Sequence, residues 1–423
     1  MNSPSNNKPI ILVVSHVIPY PPSAGNEIRI LKMLKWFQEQ GYNVILLLNQ
    51  EKVNDELRKK LELIFDHIHL ISDDYEDEAI RHTKRNFKAE LSLFKLFKNF
   101  NIFHIFSGIN YESKTKSNEL KKWFASDQLM KASNYLYNKY KPIIVMVEYI
   151  FTSPCLKAIP EGVLKIIDTH DMFSRKREQV IKYGIDDLLW CTRREERHYL
   201  LNANLIIAIQ SHEARMFQRL VAERDVITVG IDFDILSELD NSSVVPGTIL
   251  IVGSDNALNI HGLHEFYSKA WPEIKLKHPS ATLCVVGKLA NCLQTEDTQV
   301  RLSGWVNDLN EEYRKAAVVV NPTFAGTGLK IKSVEALCNG KALVSTPNGV
   351  EGIEASDIEA PYQIALDWAS FATKVVLLLK SDDKRNHLQK CALKYAQENF
   401  YKDKIYTQLK ERLKNKCVHL TSS

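Results

Sequence analysis

The stretch FAGTGLKIKSVEALCNG, residues 324–340, concentrates chemistry-bearing residues just after the apolar run AVVVNP. Two glycines precede two lysines, Lys330 and Lys332, and Glu335 follows inside a segment with the apolar stripe Ile331, Val334 and Cys338. That stripe predicts a helix starting at Leu329 or Lys330 and ended by Asn339-Gly340. A helix entered through glycines exposes unpaired N–H groups and the positive end of its dipole, which together make an anion site. Lys330 in the first turn adds a formal cation for a phosphate, and the Glu335 carboxylate suits the paired hydroxyls of a ribose. The segment therefore reads as a nucleoside-diphosphate site. The plainer alternative is a surface ion pair, since Lys332 and Glu335 lie three residues apart. Neither a Walker loop nor a G-x-G-x-x-G after the first strand is present.

Other residues invite the same question. His170 and Asp171 follow the apolar run VLKIID, and Glu148 follows PIIVMV. For His170 and Glu148 a structural role is the plainer reading. The D-x-D in IDFD, 231–234, has the form of a divalent-cation site, but it opens a linker, and no other cluster has metal-ligand spacing. No metal and no cofactor are expected.

These residues need elements to hold them. The runs at 10–14, 42–48, 142–149, 163–168 and 204–211 are short and rich in β-branched residues, as strands buried on both faces of a parallel sheet are. Between the first two, the loop SHVIPYPPSAGNE gives way at Ile28 to a helical pattern of Ile28, Leu31, Leu34 and Phe37. A second series follows at 248–253, 281–287, 317–322 and 341–346. Two such series predict an α/β chain of two doubly wound, Rossmann-like domains, with ligands outside the carboxyl ends of the strands. The division expected is an N-terminal domain over 1–232, a linker over 233–247, a second domain over 248–395, and a C-terminal helix over 396–423 returning to the first domain.

With 423 residues, two cores are the natural prior. A net charge of +4 does not announce a nucleic-acid partner, so basic surface must be local. Seven scattered cysteines without a C-x-x-C pair read as reduced thiols, and the apolar run near the N-terminus is too short for a signal core, so a cytoplasmic chain is expected. One segment departs from the plan. Residues 81–122 hold ten Lys or Arg against three Glu, a net of +7, with Phe87, Leu91, Phe94 and Phe97 at helical spacing. This is either an insertion with a solvated basic face or an amphipathic helix for an anionic membrane surface.

The chain resembles the retaining glycosyltransferases of the two-Rossmann GT-B fold, specifically family 4. The resemblance rests on NPTFAGTGLKIKSVEALCNGKALVSTPNGVEGI (321–353), supported by 15–30, 167–171, 193–213, 249–263 and 302–323 in the same order. It implies transfer of a sugar from a nucleotide-sugar donor to an acceptor hydroxyl with retention, without a metal. The donor would be a UDP-sugar or GDP-sugar, and the acceptor a bacterial surface glycan or lipid-linked glycan at the cytoplasmic membrane face.

Carried over by position, the resemblance implies that Glu335 holds the ribose and that Lys330, with backbone N–H groups of Gly328 and Leu329, meets the diphosphate. Thr327 stands where the family's first motif glutamate falls. Gly253, Ser254 and Asn259 would form the diphosphate loop, Ser254 replacing a frequent arginine. Trp305 and Val306 would frame the base, and Gly25 and Asn26 would close over the diphosphate. His170, with Asp171 and Glu148, would face the transferred sugar and the acceptor. The alternatives are a nucleotide-sugar 2-epimerase on the same fold and a non-catalytic nucleotide-sugar-binding scaffold.

Overall fold

The computed structural model describes residues 8–73, 111–185, 187, 189–355 and 359–420. Two parallel sheets carry the chain. In the first, β1 (Ile10–Ser15), β2 (Asn43–Leu48), β3 (His67–Leu70), β4 (Ile144–Glu148), β5 (Leu164–Asp168), β6 (Leu205–Ala208) and β7 (Asp225–Thr228) lie in the order β3-β2-β1-β4-β5-β6-β7. In the second, β8 (Thr248–Val252), β9 (Thr282–Val286), β10 (Val300–Ser303), β11 (Val318–Asn321), β12 (Leu343–Ser345) and β13 (Gln363–Ile364) lie in the order β10-β9-β8-β11-β12-β13. This is the expected pair of Rossmann-like domains.

The central strands are continuous apolar runs because helices cover both of their faces. Residues 11–14, 44–48 and 144–147 are buried throughout. The strands without such runs escape the sequence pattern: β3, β7, β10 and β13 contain HIHL, DVIT, VRLS and QI, and they lie toward or at the sheet edges, half-covered. Strand order reverses where β1 lies between β2 and β4, and again where β8 lies between β9 and β11. Ligands of such sheets bind at those points, beyond the strand ends.

The first helix spans Gly25–Glu39, starting three residues before the apolar pattern suggests. Glu27 explains the difference, since its carboxylate accepts the Ala24 N–H at 3.0 Å and the Ser23 hydroxyl at 2.9 Å, capping the entry. Gly25 thus opens a helix rather than sitting in a loop. It is glycine for a reason: a Cβ there would lie 2.8 Å from Ile331 Cδ1, the first residue of the helix Ile331–Cys338 in the second domain.

The helix Asp382–Asn399 belongs to the second domain, and the chain then crosses back. On the helix Lys402–Leu420, Tyr406, Leu409 and Leu413 are buried in the first domain's core, Tyr406 stacking on Trp36 with centroids 4.7 Å apart. Asp232 of the D-x-D accepts the Tyr406 hydroxyl at 3.0 Å and lies 3.6 Å from Lys32 Nζ, so it serves this crossing.

Of the basic segment 81–122, residues 81–110 and with them Phe87, Leu91, Phe94 and Phe97 lie outside the described residues. Residues 111–124 form a helix, and Lys121 on it is buried rather than solvated: it pairs with Glu195 at 3.2 Å and sits 5.1 Å from the Trp190 ring centroid. Cys155, Cys191, Cys284 and Cys338 are buried free thiols. No described helix is long and apolar enough to cross a membrane.

Candidate active site between the two sheets

The helix Ile331–Cys338 starts one residue later than the latest start expected, because Lys330 has extended backbone and stands at the N-cap position. From there its ammonium folds back onto the loop, donating to the carbonyls of Thr327 at 2.9 Å and Gly328 at 3.2 Å. Burial lowers its proton affinity, against the pull of Asp171, Glu351 and Glu213. Its charge is therefore aimed at the loop entrance, not at solvent.

Lys332 does not pair with Glu335. Its ammonium donates to Asn259 Oδ1 at 2.8 Å and Thr323 Oγ1 at 2.9 Å, which joins the first turn of the helix Ala257–Lys269 to the loop after β11. Burial, helped by the neighbouring Lys330 charge, lowers its pKa to about 7. Two lysines thus flank the helix entrance, where spacing alone had singled out one. Alternation supplied the signal: Lys330 and Lys332 bracket Ile331, which faces the other domain.

Glu335 is held from below by the fully buried Tyr313, whose hydroxyl donates to Oε2 at 3.0 Å. Burial raises its pKa to about 7, with the Tyr313 hydrogen bond and Lys32 working against the rise. Asn259 donates to the Ser254 carbonyl at 3.0 Å and fixes the loop after Gly253. Trp305 is 60% exposed on the loop after β10, and Val306 packs half-buried beside it.

The facing wall comes from the first sheet. Tyr149 directly follows β4 and His170 lies two residues beyond the end of β5, and both adopt left-handed backbone, with φ of 68° and 60°. Such conformations in non-glycine residues cost about 1–3 kcal/mol and persist only where surroundings enforce them. Here the two rings stack, centroids 4.2 Å apart and 9° from parallel, and His170 Nε2 lies 2.7 Å from Glu148 Oε2. Asn26 donates to the Tyr149 hydroxyl at 3.0 Å, tying the entry of the first helix to the same stack. Glu148 is fully buried, and burial raises its pKa although the His170 hydrogen bond opposes the rise. A core-edge carboxylate understates it, because it orients the histidine.

Glu148, Asp168 and His170 offer ligand atoms within 4.8 Å of one another, a spacing a metal ion could use. The Arg29 guanidinium, however, already holds both Asp168 oxygens, at 3.0 and 2.7 Å.

The domains touch across the glycine loop. Thr327 donates its hydroxyl to Asp171 Oδ1 at 3.0 Å, and the Gly328 N–H donates to Glu213 Oε1 at 2.8 Å. Gly326 N–H donates to Gln179 Oε1, and Arg175 pairs with Glu351. Gly328 has φ of 74°, and a Cβ on it would meet the His170 carbonyl oxygen at 2.7 Å, so no larger residue lets the loop approach. The Gly328 N–H expected to face a phosphate is thus held by a carboxylate, while Leu329 is buried behind it. Sequence reading overlooked Glu213. Its signal was position, in the first turn of the helix that follows β6.

A cavity of about 690 Å³ adjoins the loop on its other side, lined by Arg175, Tyr183, Phe324, Asn348, Glu351 and Trp368 among others. Its lining includes none of Lys330, Lys332, Glu335 and His170.

Residues 246–381 match the family model described as Glycosyl transferases group 1. A 44.6 kDa protein of the cps region of Klebsiella pneumoniae is 22% identical, across 94% of this chain and 98% of its own. Among solved structures, a Staphylococcus aureus TarM variant in complex with fondaparinux, α-GlcNAc-glycerol and UDP superposes with a TM-score of 0.68 at 12% identity, covering 98% of this chain and 100% of its own. Anabaena HepE in complex with UDP and glucose gives 0.62 at 13% identity, over 96% and 100%. The pneumococcal O-GlcNAc transferase GtfA in complex with UDP and GlcNAc gives 0.63 at 11% identity, over 97% and 99%. The fold is that of the GT-B glycosyltransferases.

Proposed function

We propose that this protein is a glycosyltransferase that moves a sugar from a nucleoside-diphosphate donor to an acceptor hydroxyl, with retention of configuration. One observation carries the reading. At the β8/β11 switch point, a glycine-led helix brings Lys330, Lys332 and Glu335 together inside the segment that matches the glycosyltransferase model. The diphosphate sits at the helix entrance between the two lysines, and Glu335 accepts the ribose hydroxyls. As the donor bond breaks, charge develops on the leaving diphosphate. The lysines and the helix N-terminus stabilise it where it forms, so the positive charge of the step comes from the chain itself.

His170, oriented by Glu148 and Tyr149, reaches the transferred sugar. Attack on the face the diphosphate leaves, with that phosphate taking the acceptor proton, retains configuration without an enzymic nucleophile. UDP in three of the structural neighbours favours a uridine donor, and the cps-region relative favours a cell-surface glycan as product. A lipid-linked acceptor at the cytoplasmic membrane face would find counter-charge in residues 81–122.

The test is a calorimetric titration of UDP, GDP and ADP, with EDTA present. One nucleotide binds the wild type, and Glu335→Ala weakens it roughly 10- to 100-fold, the loss expected for hydrogen bonds to a charged group. Affinity also depends on pH in a defined direction. Below about 7 the Glu335 carboxyl takes up a proton and loses acceptor capacity; above about 7 Lys332 sheds its charge. Affinity therefore peaks near neutrality, and a flat profile from pH 6 to 8.5, in the range those two groups set, would count against the assignment. A product of inverted anomeric configuration by NMR would refute retention.

A further inference from the structure

We infer that Glu213, supplied by the first domain, is the carboxyl group that receives hydroxyls of the transferred sugar and so helps set which sugar the site accepts. The inference rests on the nucleoside-diphosphate reading above and extends it to the group the donor carries.

Glu213 stands in the first turn of the helix Ser211–Leu220, which starts three residues after the last residue of β6. It is fully buried, yet only one of its oxygens is satisfied. Oε1 accepts the Gly328 N–H at 2.8 Å, while Oε2 has no hydrogen-bond partner among the described residues. A buried carboxyl oxygen without a partner costs desolvation that nothing in the protein returns, so it calls for a ligand group able to bond it.

The charged groups that act on it are Asp171, Lys330 and Glu351. Asp171 Oδ1 accepts the Thr327 hydroxyl at 3.0 Å, on the same stretch of loop. Burial foremost, and then the Asp171 charge, raise the Glu213 pKa to about 8, which marks a site short of compensating cations. A phosphate is a poor occupant beside two carboxyl groups. A neutral polyol is a good one, because its hydroxyls both donate and accept and can bond a carboxyl in either protonation state. The polyol in a nucleotide-sugar is joined to the phosphate, and Lys330, the phosphate's proposed partner, sits on the same loop two residues from Gly328.

Placement gives the contact a second property. Glu213 comes from one domain and Gly328 from the other, so the hydrogen bond that fixes Glu213 Oε1 forms only with the domains together. Thr327 brings a hydroxyl and no charge, and Glu351 is paired with Arg175, so the carboxyl groups bonded to the glycine loop are Asp171 and Glu213, both from the first domain.

The experiment titrates UDP-glucose, UDP-N-acetylglucosamine and GDP-mannose, each against its free nucleoside diphosphate, on wild type, Glu213→Gln and Glu213→Asp. The titrations are run at about pH 9, above the Glu213 pKa of about 8, where Gln keeps the shape and the Gly328 hydrogen bond but replaces the ionised, unpaired acceptor with a donor; Asp keeps the carboxyl and withdraws it by one methylene. The expected result is that each variant lowers the affinity of the best nucleotide-sugar roughly tenfold or more while the free nucleotide stays within about twofold. Equal loss for the sugar form and the free nucleotide would overturn the inference, since Glu213 would then only brace the loop. No change in either would overturn it as well. A wild type that binds no nucleotide overturns the proposed function and this inference with it, and a wild type that binds free nucleotide but no better with sugar attached overturns the inference alone.

Discussion

Replacing Arg29 with methionine lowers folding stability by roughly 3–5 kcal/mol, the cost of leaving one member of a buried ion pair without its partner. Arg29 is 1% exposed and bonds both Asp168 oxygens while also donating to the Val229 carbonyl at 2.8 Å and to the Gly230 carbonyl. Methionine fills the channel but leaves the fully buried Asp168 carboxylate without its guanidinium partner. The loss reaches the site as well, because β5 ends at Asp168 and His170 is held two residues on in left-handed backbone. Urea unfolding followed by tryptophan fluorescence measures the cost. Pairing Arg29→Met with Asp168→Asn recovers part of it, since the second change removes the stranded charge. A loss below about 1 kcal/mol for the single variant would show that water reaches Asp168 and that the pair is not the strut described.

Removing the Lys330 ammonium with alanine lowers kcat by roughly 10²–10³, the range found when one preorganised group facing developing charge is deleted. The geometry supports an effect on kcat more than on KM. Lys330 Nζ is held by the Thr327 and Gly328 carbonyls, so its position is set before the donor arrives, and its stabilisation grows as the diphosphate gains charge. Arginine restores little, because the planar guanidinium cannot occupy a pocket built around a compact ammonium. Burial lowers the Lys330 proton affinity, so the charge, and the rate with it, is lost as pH rises through a value below the ordinary lysine range. Steady-state kinetics across pH report all three effects. An unchanged kcat would mean that Lys332 and the helix N-terminus carry the leaving group by themselves.

These two residues also divide what is legible in the chain from what is not. Lys330 could be found on paper. Its spacing from glycines, from the apolar stripe and from Glu335 is a local property, and local spacing places groups on a helix before any tertiary contact forms. The central strands were equally legible, because strands covered on both faces are apolar throughout. The edge strands β3, β7, β10 and β13 were not, because half-covered positions accept His, Asp, Arg and Gln without penalty.

Arg29, Glu213 and Tyr149 were illegible for a different reason. Arg29 meets Asp168 across 139 residues, and Glu213 meets Gly328 across 115. Each sits in sequence that reads as an ordinary helix or strand end. Their roles exist only because two parallel sheets present their carboxyl ends to one another, with Gly25 and Gly328 giving the room for contact. By itself the sequence determined the two Rossmann-like layers and the glycine-led helix with Lys330 and Glu335, since periodicity and spacing are properties of single segments. The tertiary structure decided which buried charges are paired, which way Lys332 points, and which carboxyl group stands against the glycine loop, because each depends on what a distant segment brings to within 3 Å of it.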